Sequence, residues 1–241
     1  MANDSRRRQR RILHTSDLHL VSLGDKACHS LTSLVDLVIR ARVDLLIFAG
    51  DLFDHNRVDD ELVSFVAAQL QRLPVAAVIL PGNHDCLMPN SAYVRWALWK
   101  DCTNVRVFRE PGGERLDLTD LGLSLWGKPM MSYDDNVLPL VGMPPPPQNG
   151  QWNIAVAHGF YVSNESPPFP SYHITEQEIV TSGYDYIALG HVTTFRCVCN
   201  EPVKAYYSGA PPLSGTVAIV DLAEETGVRV TPYSLSDCDM V

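Results

Sequence analysis

In its first third the chain alternates short apolar runs with segments whose apolar residues recur at helical spacing, and each apolar run ends in a polar motif. Such runs are too short for buried helices and the right length for buried strands. Strands and helices in that alternation make a parallel sheet joined by crossover helices. Residues 11–16 read as the first strand, followed by an amphipathic helix through Leu31, Leu34, Val35, Val38 and Ile39. Residues 44–49 read as a second strand, and residues 59–73 as a second helix with Leu62, Phe65, Val66, Gln69 and Leu73 along one side, closed by Pro74. Residues 75–80 are a third strand. A later series, mostly of strands, falls at 123–126, 153–157, 184–189, 203–208, 215–221 and 228–235. The expected class is α/β.

Five motifs follow predicted strands, and all are built from oxygen donors or imidazoles: Asp17 and His19 in DLH, Asp51 and Asp54 in GDLFD, Asn83, His84 and Asp85 in GNHD, His158 in AVAHG and His191 in ALGHV. In open α/β sheets, ligands collect at the carboxyl ends of the strands. Each motif alone has a structural explanation as a cap or a satisfied polar group. The ordered set points instead to a metal centre. In an extended DxH segment the two outer side chains share a side and would hold one ion together. The two oxygens of Asp51 suit a bridge between two cations. Two divalent ions about 3.5–4 Å apart clamp a phosphoryl group and turn a water into a nucleophile at neutral pH, which is hydrolytic chemistry.

The chain has 241 residues, 46% hydrophobic and 20% charged, enough for a folded core in one large domain or two small ones. The Pro144 to Pro147 run is read as a surface loop, because motifs begun before it are completed after it. Residues 1–11 are expected to be a basic flexible tail, with Arg6, Arg7, Arg8, Arg10 and Arg11 solvated, and 12–241 a single domain. Lys plus Arg number 19 against 28 Asp plus Glu, a net −9. That balance disfavours a broad basic surface for nucleic acid without excluding nucleic acid as substrate. The six cysteines form no CxxC pair, and no signal-like or membrane-length apolar stretch occurs, so a reduced cytoplasmic setting without membrane association is expected. Cys197 and Cys199, two apart in a strand-like stretch, are expected to pack on one face. Trp96 and Trp99 are read as packing residues, and His55, next to Asp54, as a surface loop residue. His14, His29 and His173 receive no role.

Together the SDLH, GDLFD, PGNHD, HG, GH and YYSGAP stretches resemble the calcineurin-like metallophosphoesterases, nearest the branch of SbcD-type DNA-repair exonucleases. The resemblance spans residue 12 to about residue 221. It implies a four-layer α-β-β-α sandwich of two mixed sheets, with two divalent ions at one end. By motif, Asp17 and His19 would hold the first ion, Asp51 would bridge, and Asn83, His158 and His191 would hold the second. His84 would face the scissile phosphate, with Asp54 orienting its ring and Asp85 structural. Mn²⁺ is the first choice of ion, with Fe and Zn equally suited to such ligands.

Two departures from the family matter. The family's GHxH reads Gly190, His191, Val192, Thr193 here, so a neutral hydroxyl replaces the last imidazole of the first site, which is expected to be weaker. The chain also stops soon after its last predicted core strand, so no capping domain and no ATPase partner are expected. The resulting reading is a metal-dependent phosphoesterase hydrolysing a phosphodiester or phosphomonoester, its partner a phosphoester substrate such as a nucleotide or nucleic acid. The alternatives are an SbcD-type exo- or endonuclease, and a degenerate member that binds metal or nucleotide without turnover because of Thr193.

Overall fold

The computed structural model describes residues 7–163 and 171–235, apart from the side chain of Trp96. In chain order the elements are β1 (Arg10–Thr15), α1 (Lys26–Ala41), β2 (Leu45–Ala49), α2 (Asp60–Gln71), β3 (Ala76–Leu80), α3 (Trp96–Trp99), β4 (Val105–Val107), β5 (Glu114–Leu118) and β6 (Leu123–Gly127). They continue with β7 (Trp152–His158), β8 (Phe160–Val162), β9 (His173–Thr175), α4 (Glu176–Val180), β10 (Tyr186–Gly190), β11 (Phe195–Cys199), β12 (Lys204–Ser208), α5 (Pro211–Ser214), β13 (Thr216–Ala223) and β14 (Gly227–Ser234).

Two six-stranded mixed sheets result, ordered β14-β13-β1-β2-β3-β4 and β11-β12-β10-β7-β6-β5. Strands β1 to β4 run parallel, and so do β12, β10, β7 and β6, while β13, β14, β11 and β5 pair antiparallel with their neighbours. Strand alternation sends Ile12, Leu45, Ile47 and Val78 of one sheet against Ile154, Val156, Tyr186 and Ala188 of the other. The opposite face of the first sheet, with Leu13, Leu46, Phe48 and Ile79, packs on Leu31, Leu34, Val35 and Val38 of α1 and Leu62, Val63 and Val66 of α2. The fourth layer is thin. Ile187, Leu189 and Ala155 are covered by Ile179 of the five-residue α4, Ile174 of β9 and Leu140.

Three expectations change. First, β1 begins at Arg10, and the arginines described from Arg7 on are bound to the fold. Arg7 pairs with Asp185 at 2.7 Å and stacks 4.7 Å over Trp152, and Arg11 pairs with Asp221 at 2.7 Å. Carboxylates and carbonyls of the folded chain give these side chains partners that a solvated tail lacks, while Arg6 lies outside the described residues. Second, Cys197 and Cys199 do not share a face. A β-bulge pairs Cys197 with Tyr206 but Cys199 with Ala205, so the extra residue turns the two thiols to opposite sides, and Cys197 is exposed. Third, the short edge strands β4 and β5, whose residues are only half buried, carry no apolar run for sequence reading to find. Trp99 packs as expected, its indole N–H donating to the Ala92 carbonyl at 2.8 Å.

Candidate metal centre

The five motifs leave β1, β2, β3, β7 and β10 at the same end of the two sheets. At that end the sheets nearly touch. A Cβ on Gly190 would stand 1.8 Å from the Ala49 carbonyl oxygen, and one on Gly50, whose φ is +96°, would fall 2.0 Å from His158 Nδ1. Only glycine admits that approach. The loops after β1 and β2 are laced together by Asp17 N–H to Gly50 O (3.1 Å), His19 N–H to Asp51 O (3.1 Å), Leu20 N–H to Leu52 O (3.0 Å) and Asp54 N–H to Leu20 O (3.0 Å). Buried Leu18, Leu20, Leu52 and Phe53 anchor the lacing in the core.

DLH is therefore not an extended segment. Asp17 (φ 55°), His19 (φ 49°), Asp51 (φ 54°) and His191 (φ 95°) all occupy positive φ. Such conformations cost about 1–2 kcal/mol per non-glycine residue and cluster at functional sites, where surrounding structure imposes them.

Donor atoms converge in two overlapping groups. In one, His158 Nε2 lies 3.1 Å from Asp51 Oδ2 and 2.9 Å from Asn83 Oδ1, and His191 Nδ1 lies 3.2 Å from Asn83 Oδ1 and 3.3 Å from His158 Nε2. Ligands of one small divalent cation, with bonds of about 2.1 Å, keep separations of about 3.0–3.4 Å, so this donor set fits an ion. In the other, His19 Nε2 stands 3.8 Å from Asp17 Oδ1 and 3.9 Å from the same Asp51 Oδ2. His84 joins His19 and Asp51 in a group whose donor atoms lie within 4.8 Å of one another. The second oxygen of each carboxylate is occupied. Asp51 Oδ1 accepts the His84 N–H at 2.9 Å, and Asp17 Oδ2 accepts the His191 N–H at 2.9 Å.

Hydrogen bonding fixes the tautomer that matters. His158 Nδ1 lies 2.8 Å from the Ala49 carbonyl, which only accepts, so Nδ1 carries the hydrogen and Nε2 is the nitrogen that faces Asp51 and Asn83. Burial pulls the His158 pKa down, but the Asp51 carboxylate overrides it and pushes it up to about 9. His191 is lowered to about 4 by burial and by neighbouring His158. For His19, burial acts downward, and Asp17, Asp51 and Asp54 together raise its pKa.

Other residues fall into place with one correction. His84 Nδ1 is held by the backbone carbonyl of Asp54 at 2.9 Å, whereas the Asp54 carboxylate lies nearest His19 Nδ1, at 3.0 Å, and 3.5 Å from His84. The expected Asp54 to His84 contact is thus mainly a backbone one. Asp85 is structural: fully buried, it accepts from Gly82 N–H (2.7 Å), Phe53 N–H (3.1 Å) and Tyr93 O–H, and burial and Asp51 push its pKa up to about 6. Beyond His191, Thr193 accepts the Ala210 N–H through its backbone carbonyl at 3.0 Å. Sequence reading missed Tyr172, whose ring meets His191 edge-on at 5.7 Å from a backbone of φ 49°. It also gave no reason for YYSGAP. Ser208 meets Ser16 across the sheets at 3.2 Å, and the Tyr207 hydroxyl bonds the Gly159 carbonyl at 2.8 Å, so the stretch props the loops that carry Asp17 and His158.

A sequence model of the calcineurin-like phosphoesterase family matches residues 10–194. Among curated proteins, the uncharacterized metallophosphoesterase YhaO of Bacillus subtilis is 24% identical over 217 residues, covering 82% of this chain and 52% of YhaO. The DNA double-strand break repair protein Mre11 of Methanopyrus kandleri is 26% identical over 206 residues, covering 76% of this chain and 44% of Mre11. The chain thus spans about half the length of these relatives. Similar solved structures include TT1561 of Thermus thermophilus (TM-score 0.64, 12% identity, 95% of this chain and 100% of that one) and the yellow lupin purple acid phosphatase PPD1 (TM-score 0.61, 12% identity, 97% and 52%). With a family match over most of its length, two mixed sheets of the same fold and converging donors at the strand ends, the chain belongs to the calcineurin-like phosphoesterases, a family of metal-dependent hydrolases of phosphoester bonds.

Proposed function

We propose that this chain hydrolyses phosphodiesters at a centre of two divalent ions, one held by Asp17, His19 and Asp51, the other by Asp51, Asn83, His158 and His191. The observation that carries the reading is the position of Asp51 Oδ2, which lies 3.1 Å from His158 Nε2 and 3.9 Å from His19 Nε2 and so belongs to both donor sets. Bound there, two ions supply charge that steadies the phosphoryl oxygens and lowers the pKa of a water, the attacking nucleophile. Mn²⁺ is the first ion to test, and Fe and Zn suit this mix of oxygen and imidazole donors equally.

The chain's own residues do the rest. Asp17 and Asp51 are buried, which strengthens the charge interactions that their carboxylates make. His84 is half exposed, and its Nδ1 hydrogen is committed to the Asp54 carbonyl, so Nε2 is left to face substrate. Protonated at Nε2, it gives its proton to the leaving oxygen.

The test is hydrolysis of bis(p-nitrophenyl) phosphate beside p-nitrophenyl phosphate with added Mn²⁺. Diester turnover is expected, and His84→Ala should lower it by about 10²–10⁴-fold. Inertness toward both esters across several metals would overturn the reading in favour of a binding role. A second reading, cleavage of DNA ends, draws support from the relative named Mre11. Mn²⁺-dependent degradation of linear DNA would favour it, and reaction of small diesters alone would exclude it.

A further inference from the structure

We propose that the Asp54 carboxylate is a positioning residue for His19, and through it sets the affinity of the first-ion site; the inference rests on the two-ion reading above. His19 sits on the loop after β1, with φ 49°. Its Nε2 points at Asp17 and Asp51, 3.8 and 3.9 Å away, while its Nδ1 lies 3.0 Å from Asp54 Oδ1. A carboxylate oxygen only accepts, so the contact places the hydrogen on Nδ1 and leaves the Nε2 lone pair turned toward the two carboxylates. The negative charge also makes that imidazole a stronger donor to a cation.

His84 does not need the same side chain, because the Asp54 backbone carbonyl already holds its Nδ1 at 2.9 Å. Asp54 is well placed for His19 for a local reason. Its N–H bonds the Leu20 carbonyl at 3.0 Å, so the carboxylate and the imidazole rise from adjacent rungs of the lacing between the β1 and β2 loops. Thr193 makes the contact count for more. With no histidine at that position, His19 is the one imidazole that the motifs assign to the first ion.

The experiment is calorimetric titration of Mn²⁺ into the full chain, with the electron paramagnetic resonance signal of free Mn²⁺ as a second count of bound ions. Wild type, Asp54→Ala and Asp54→Asn are compared. The Asp54 side chain is 37% exposed, so neither change opens the core. In Asp54→Ala the weaker of two sites is expected to lose about 10–100-fold in affinity, the usual effect of removing an outer-shell partner, with the tighter site unmoved. Asp54→Asn, which keeps an acceptor but not the charge, should fall between. Unchanged affinities in Asp54→Ala would overturn the inference while leaving the two-ion centre standing. Failure of wild type to bind two ions would overturn the centre and the inference with it.

Discussion

Four of the residues that build the centre hold left-handed backbone that their side chains resist, and Asp51 is shared by both donor sets. Residue identity was legible: Asp17, His19, Asp51, Asn83, His84, His158 and His191 can be picked from the motifs, and the structure brings them together. The contact between Asp54 and His19 was not legible, because residues 35 apart meet only through the hydrogen bonds between two loops. Tyr172 left no signal either, since one tyrosine outside any motif looks like every other. The sharpest residue-scale prediction concerns Thr193. Calorimetry should find two unequal Mn²⁺ sites, and Thr193→His should tighten the weaker by at least about tenfold by adding an imidazole donor. Two equal tight sites in the unaltered chain would count against the hydroxyl's being a deficiency.

At the scale of elements, helix starts and sheet edges decide how the loops are held. Helix α1 opens at Asp25, whose carboxylate accepts from Cys28 N–H at 2.8 Å, Val21 N–H at 3.0 Å and Ser22 N–H at 3.1 Å. It therefore caps the helix and closes the loop that follows His19. Those bonds hold its pKa low against burial, which acts upward. Asp25→Ala should cost about 1–2 kcal/mol in urea denaturation, a loss larger than a solvent-exposed carboxylate would show. The apolar periodicity of α1 and α2 announced them in the sequence, since each must lay a stripe against the first sheet. Strands β4 and β5 were obscure because edge strands bury one face at most. The bulge that parts Cys197 from Cys199 follows from pairing with β12, which no local pattern records.

The molecule as a whole is two sheets joined face to face by an apolar core with a few polar ties. His14 Nδ1 meets the Tyr186 hydroxyl at 2.8 Å across that core, and burial lowers the His14 pKa to about 3. Between pH 3 and the unfolded value near 6.5 the native state then binds fewer protons than the unfolded chain. This contribution is complete above pH 6.5 and declines as pH falls, by up to about 1.4 kcal/mol per unit. Urea denaturation from pH 7 to 4 with chelator present should show a shallower slope for His14→Gln than for wild type, and parallel slopes would assign the acid limb to other groups. At the opposite end from the metal centre, Arg7 ties the approach to β1 to Asp185 and Trp152 of the second sheet, and Trp152 Nε1–H bonds the Arg8 carbonyl at 2.8 Å. The described residues contain no helix long and apolar enough to cross a membrane. By itself the sequence determined the α/β class, the strands that carry motifs and the candidate donors, because hydrophobic period and side-chain chemistry are local properties. Tertiary structure alone decided which nitrogen of His158 turns toward Asp51 and Asn83, which imidazole the Asp54 carboxylate lies nearest, and how closely the sheets approach at Gly190, because each depends on groups that only folding brings into contact.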